Sequence, residues 1–121
     1  MKAHGVDDGH IIHISSMAGH LDASWPKMAI YSASKHAVRV LTEGLRKELV
    51  AAKSRIRVTE VSPGFVKTDI LESSGVDSET LKRLEKIPFM QPEDIADIVL
   101  YALGVPPHVQ IHEVMVYPVG Q

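Results

Sequence analysis

An α/β fold built on a parallel sheet is what this sequence predicts, on three observations. Short, β-branched, largely apolar runs occupy residues 10–16, 56–62 and 109–117, lengths that suit buried strands. Between them, residues 29–52 and 92–104 repeat apolar side chains every three or four positions, as one face of a helix does. Helices set between strands imply crossover connections, and so parallel strands. The expected order is β, α, β, a connecting segment, α, β within one domain covering residues 1–121.

The elements follow in order. Residues 1–9 are polar, and Asp7-Asp8-Gly9 reads as the turn that launches the first strand. The run from His10 to Ser16 is nearly continuous in apolar character around His13, as expected of a strand covered on both faces. Residues 17–28 form a loop punctuated by Gly19 and Trp25-Pro26. The long helix over 29–52 carries its stripe on Val38, Leu41, Leu45 and Leu49, with Arg39, Glu43, Arg46, Lys47 and Glu48 on polar sides. Gly44 inside it costs about 1 kcal/mol relative to alanine and is expected to let another backbone come close. The second strand breaks at Pro63-Gly64. Residues 65–91 are mixed in polarity, with a short helix expected near residues 77–86; so long a connection suits a lid or a binding segment. Pro92, Glu93 and Asp94 open the last helix, whose stripe is Ile95, Ile98, Val99, Ala102 and Leu103. Gly104 and Pro106-Pro107 stop it before the last strand. Met90 and Met115 read as core filling.

Composition narrows the function. The 121 residues are 45% hydrophobic with a net charge of −2, which offers nothing to nucleic acid or an anionic membrane. There is no cysteine, so neither a disulfide framework nor a cysteine-based zinc site exists, in keeping with a reducing compartment. No apolar run approaches the ~18 residues of a membrane span. Of the seven histidines, His10 and His13 point to opposite sides of a strand, and His108 and His112 lie too far apart in an extended run to chelate; no metal site is expected. No two glycines stand two apart, so no glycine-rich dinucleotide fingerprint is present.

The chemistry centres on Tyr31 and Lys35. Four residues apart in the first turns of a helix, they share a face. An unperturbed phenol is a poor proton exchanger at neutral pH, but a fixed cation beside it favours the anion and makes it a candidate general acid/base. A structural tyrosine next to a solvated lysine is the ordinary alternative. Two flanking features weigh against that alternative: Ser15 and Ser16 close the first strand, where functional groups of open α/β sheets gather, and Pro63-Gly64-Phe65-Val66-Lys67-Thr68 follows the second.

A strand ending in Ser-Ser, then Tyr-x-x-x-Lys, then a strand ending in Pro-Gly-x-Val-x-Thr resembles the catalytic half of the short-chain dehydrogenase/reductase family, from about His10 to the C-terminus. The resemblance implies the C-terminal part of a Rossmann-like doubly wound parallel sheet, with the N-terminal dinucleotide-binding half absent, as in a fragment or truncated gene product. It implies catalytic roles for Ser16, Tyr31 and Lys35, with Ser16 rather than Ser15 stabilising the substrate oxygen and Lys35 also holding the nicotinamide ribose. Pro63, Gly64, Val66 and Thr68 would wrap the nicotinamide, with Lys67 and Asp69 in the same loop. Where many members have asparagine before the serines, this chain has His13. Val6-Asp7-Asp8-Gly9-His10-Ile11-Ile12, Leu41-Thr42-Glu43-Gly44-Leu45-Arg46 and Pro92-Glu93-Asp94-Ile95-Ala96 look most like the farnesol dehydrogenase-like branch and dehydrogenase/reductase member eleven. That likeness implies NADP rather than NAD, a hydrophobic alcohol or ketone such as an isoprenoid or steroid, a cytoplasmic location and a homo-oligomer joined through helix 29–52. The alternative is a silent module for folding or dimerisation, whose first strand has an unpaired edge.

Overall fold

The computed structural model describes residues 1–21, 28–73, 79, 82, 84 and 86–121. Three parallel strands, β1 (His10–Ile14), β2 (Arg57–Pro63) and β3 (Glu113–Val116), lie in the order β1-β2-β3. The helices are α1 (Ala29–Ala51), the single turn α2 (Ile70–Ser73) and α3 (Pro92–Gly104). Among the described residues no helix is long and apolar enough to cross a membrane. The helix expected near residues 77–86 is seen only as helical Glu79, Lys82 and Leu84; its other residues, like 22–27 of the first loop, lie outside the described set.

The register fixes which side chains share a face. His13, Glu60 and Glu113 form one row across the sheet, and His10 pairs with Arg57 in another of opposite parity. From the first row His13 reaches α1, its Nδ1 2.7 Å from Thr42 Oγ1. From the other face the Arg57 guanidinium reaches the carbonyls of Leu103 and Val105, so α3 ends there. Central β2 is buried from Val58 to Pro63, and Val58, Val61, Ile56 and Ala102 form the apolar core with Met90 and Leu84.

Thr59 and the main chain on either side of it are satisfied by neighbouring elements. Thr59 donates to the Ile111 carbonyl at 2.6 Å and meets His10 Nε2 at 2.7 Å, joining β1, β2 and the approach to β3. Gln110 accepts the Val58 N–H through its side chain at 3.1 Å, and His112 accepts from Glu60 N. The bonds to Gln110 and Ile111 use side chains in place of backbone pairs, so the last strand pairs regularly only from Glu113 and is shorter than expected.

Three expectations are corrected. β1 is half-buried rather than covered on both faces, because it is the edge of this sheet, and Ile14 is 51% exposed. Leu41 does not share the sheet-facing stripe of Val38, Leu45 and Leu49; it is 66% exposed. Met90 fills the core, but Met115 is exposed and accepts from the Tyr117 hydroxyl at 2.9 Å. Among the described residues nothing lies within 4 Å of where a Cβ on Gly44 would stand, so that position stays open on the surface of α1.

Candidate active site

The site forms where β1 ends. Ser15 extends the ladder, its N–H bonded to Val61 O at 2.8 Å. Ser16 then caps a short 3₁₀ turn, Met17–Gly19, its Oγ accepting from Ala18 N at 3.2 Å. That turn packs directly on α1. A Cβ on Gly19 would stand 2.9 Å from the Lys35 carbonyl oxygen and 3.3 Å from Ser15 Oγ, so only glycine admits this approach. Ser15 is buried, with its hydroxyl directed at the same carbonyl at 3.4 Å.

On α1, Tyr31 and Lys35 are half-buried. The Lys35 ammonium lies 5.6 Å from the Tyr31 ring centroid, within cation–π range. It also donates to the Ile14 carbonyl at 3.2 Å, the last residue of β1 before the two serines. One lysine thereby ties the phenol ring to the strand end. Ser34 donates to Tyr31 O and the His36 ring to Ser32 O, so these side chains bond locally within the helix.

The other candidates follow β2. Gly64 donates to Val116 O at 2.7 Å. Gln121 Oε1 accepts from Phe65 N at 3.0 Å, and the other end of its amide contacts Met17 Sδ at 2.7 Å. The close neighbours of position 64 are therefore protein side chains, Gln121 Oε1 at 2.5 Å and Tyr117 Cδ1 at 3.0 Å from a built Cβ. Val66 bridges to Met90 in parallel: Met90 N donates to Phe65 O and Lys67 N to Met90 O, both at 2.9 Å. In that pattern the N–H and C=O of Val66 itself point away from Met90. Thr68 Oγ1 accepts from Ile70 N at 3.5 Å, and Asp69 O accepts from Ser73 N, which starts α2. The sequence did not reveal this closure of the long segment at its root, nor the part played by Gln121; a Phe65–Phe89 contact at 5.7 Å reinforces it.

The match to the short chain dehydrogenase family covers residues 1–79. The chain belongs to the short-chain dehydrogenase family. Over its whole length it is 47% identical to farnesol dehydrogenase of Aedes aegypti and 44% identical to dehydrogenase/reductase SDR family member 11 of Mus musculus. It covers 46% and 47% of those proteins, about half the length of the curated relatives it matches. Serine dehydrogenase complexed with NADP+ superposes with a TM-score of 0.79 at 31% identity, over 93% of this chain and 45% of that one. 4-Hydroxyisoleucine dehydrogenase complexed with NADH gives a TM-score of 0.68 at 27% identity, over 92% and 45%. The Rossmann-like α/β fold is thereby established.

The family implies a nicotinamide dinucleotide, and the residues present fit its nicotinamide–ribose end. Lys35 spends one of its three donors on Ile14 O, and the Val66 main chain turns both polar groups away from its Met90 partner. For the pyrophosphate end this sequence holds no glycine-rich turn.

Proposed function

We propose that this chain carries the proton-transfer residues and the nicotinamide end of an alcohol/ketone oxidoreductase, with NADP the preferred cofactor over NAD and a hydrophobic substrate of isoprenoid or steroid type. The observation that carries the reading is Lys35, poised over the Tyr31 ring while bonded to the last carbonyl of β1 beside Ser15 and Ser16. When bound, the nicotinamide supplies or accepts the hydride.

The chain's own residues do the rest. The Tyr31 hydroxyl gives a proton to the substrate carbonyl oxygen in reduction and takes it back in oxidation. Lys35 places positive charge beside that exchange and has donors left for the ribose hydroxyls. Ser16 Oγ accepts from Ala18 N, which leaves its own proton to donate to the substrate oxygen as charge develops there. Val66 meets the carboxamide through its main chain, Pro63 and Gly64 set the turn, and Thr68, Lys67 and Asp69 border the same end. The names of the relatives, farnesol dehydrogenase among them, support the substrate class.

Calorimetric titration with NADPH, and NADH in parallel, is the test. Saturable binding, tighter for NADPH, is expected; in an active preparation Tyr31→Phe should lower kcat by roughly 10²- to 10⁴-fold and Ser16→Ala by about 10²- to 10³-fold. A folded sample that binds neither nucleotide would leave the silent module as the better description.

A further inference from the structure

We propose that His20, Glu60 and Glu113 form a binding site for a divalent cation with a preference for mixed nitrogen and oxygen donors, Zn²⁺ being the best fit. One donor atom from each lies within 4.8 Å of the others. The three come from separate elements: Glu60 from the middle of β2, Glu113 from its register partner at the start of β3, and His20 from the end of the turn that Ser16 caps. Register neighbours in a parallel sheet point to the same side, so the two carboxylates are side by side by construction.

Charge and burial together call for a cation. Glu60 is 1% exposed, and its one described side-chain contact is with the Ser62 hydroxyl at 3.4 Å. No lysine or arginine among the described residues pairs with it. His20 Nε2 and Glu113 Oε1 are both buried and make no hydrogen bond of acceptable geometry, although they stand 2.5 Å apart. Two carboxylates and one imidazole thus face one another with no lysine or arginine among the described residues beside them, and a charge left uncompensated there would be costly. A doubly charged ion answers this with one group.

The geometry is close to what the ion needs. Zinc sits about 2.0–2.2 Å from imidazole nitrogen and carboxylate oxygen, which separates tetrahedral ligands by about 3.4 Å. The close pair therefore has to part by under about 1 Å, within the swing of either side chain. His13 lies on the same row but is held at Nδ1 by Thr42, and it is not needed in the set. Filled, the site would fasten β2 and β3 to the turn that positions Ser16, with a fourth position for water. It does not depend on the oxidoreductase reading.

The test is titration of the folded full chain with ZnCl₂ by calorimetry and with Co²⁺ by visible absorption. One ion per chain is expected, with Co²⁺ bands typical of four or five ligands and a rise in Tm on saturation. His20→Gln and Glu113→Gln, both at partly exposed positions that keep a polar side chain, should each weaken binding by more than the about 10- to 100-fold lost with an outer-shell partner. His108→Gln, at an exposed position outside the three donors, should bind as the parent does. No saturable binding to the folded chain, or parental affinity in either His20→Gln or Glu113→Gln, overturns the site.

Discussion

At the scale of single residues, two threonines decide the state of two histidines. The one proton of the Thr59 hydroxyl goes to Ile111 O, so His10 must donate from Nε2, which leaves its buried Nδ1 with an unpartnered lone pair. Burial first, and the Arg57 charge second, hold the His10 imidazole below its ordinary value of 6.5. The folded chain therefore binds this proton less readily than the unfolded chain. Stability is full above about pH 6.5 and falls as the unfolded state takes up protons below it, until the folded imidazole also protonates. Thermal melts at about pH 7.5 and about pH 5.5 should show this loss, and His10→Gln, which keeps a donor near Nε2 but cannot titrate, should shrink it. Thr42 acts the same way: it donates to Val38 O at 2.9 Å and accepts from His13 Nδ1. Thr42→Val keeps the shape and strands the His13 donor, at a cost of about 1–3 kcal/mol in denaturant unfolding. The departure to histidine at position 13 thus has a physical role, as a hydrogen-bonded brace between β1 and α1.

At the scale of elements, the position of α1 depends on its contact with the turn after β1. Gly19→Ala would drive a methyl group to 2.9 Å from the Lys35 carbonyl oxygen, a backbone atom that cannot swing aside. The expected outcome is a loss of about 1–3 kcal/mol in stability, with weaker nucleotide binding because Lys35 moves with the helix; an unchanged melt would show that the helix slides freely. For α3, Asp94 Oδ2 accepts from Gln91 N at 2.7 Å in a reciprocal capping box. Asp94→Ala should cost about 0.5–2 kcal/mol, read from the same unfolding curves. Both helices were legible in the sequence because their periodicity is local: Pro92 and Gly104 mark α3, and the stripe of Val38, Leu45 and Leu49 marks α1. Tyr31, Lys35 and the serines were legible as a pattern for the same reason. The Val66–Met90 bridge, the Gln121 clamp on Phe65 and the cluster of His20 with Glu60 and Glu113 were not. Each joins residues far apart in the chain, and no spacing records such pairings. Leu41 was misassigned because a repeat of three and four does not say which of two adjacent apolar stripes faces the sheet.

At the scale of the whole molecule, two kinds of surface bear on how copies of the chain would associate. One is the open sheet edge, since β1 and β3 each pair only with β2. The other is a stripe of α1 where Ile30 is 83%, Val40 72% and Leu41 66% exposed, interleaved with exposed Ala33 and Ala37 and with Gly44. At 100° per residue these positions fall along one side, and small residues between large ones let a second helix come close. Association through the stripe is self-complementary and closes as a dimer, whereas pairing through the strand edge tends to open-ended aggregation. The two routes predict different behaviour on dilution. For a helix-mediated dimer, sedimentation should give a monomer–dimer equilibrium and the Tm should fall as the chain is diluted, because association stabilises the folded state by mass action. Leu41→Glu with Val40→Lys sets charges in the middle of the stripe, on exposed positions where they do not disturb the monomer. That variant should sediment as a monomer with a melt independent of concentration. If it associates as strongly as the parent, the helix face is not the contact; polydisperse growth would then point to the open sheet edges.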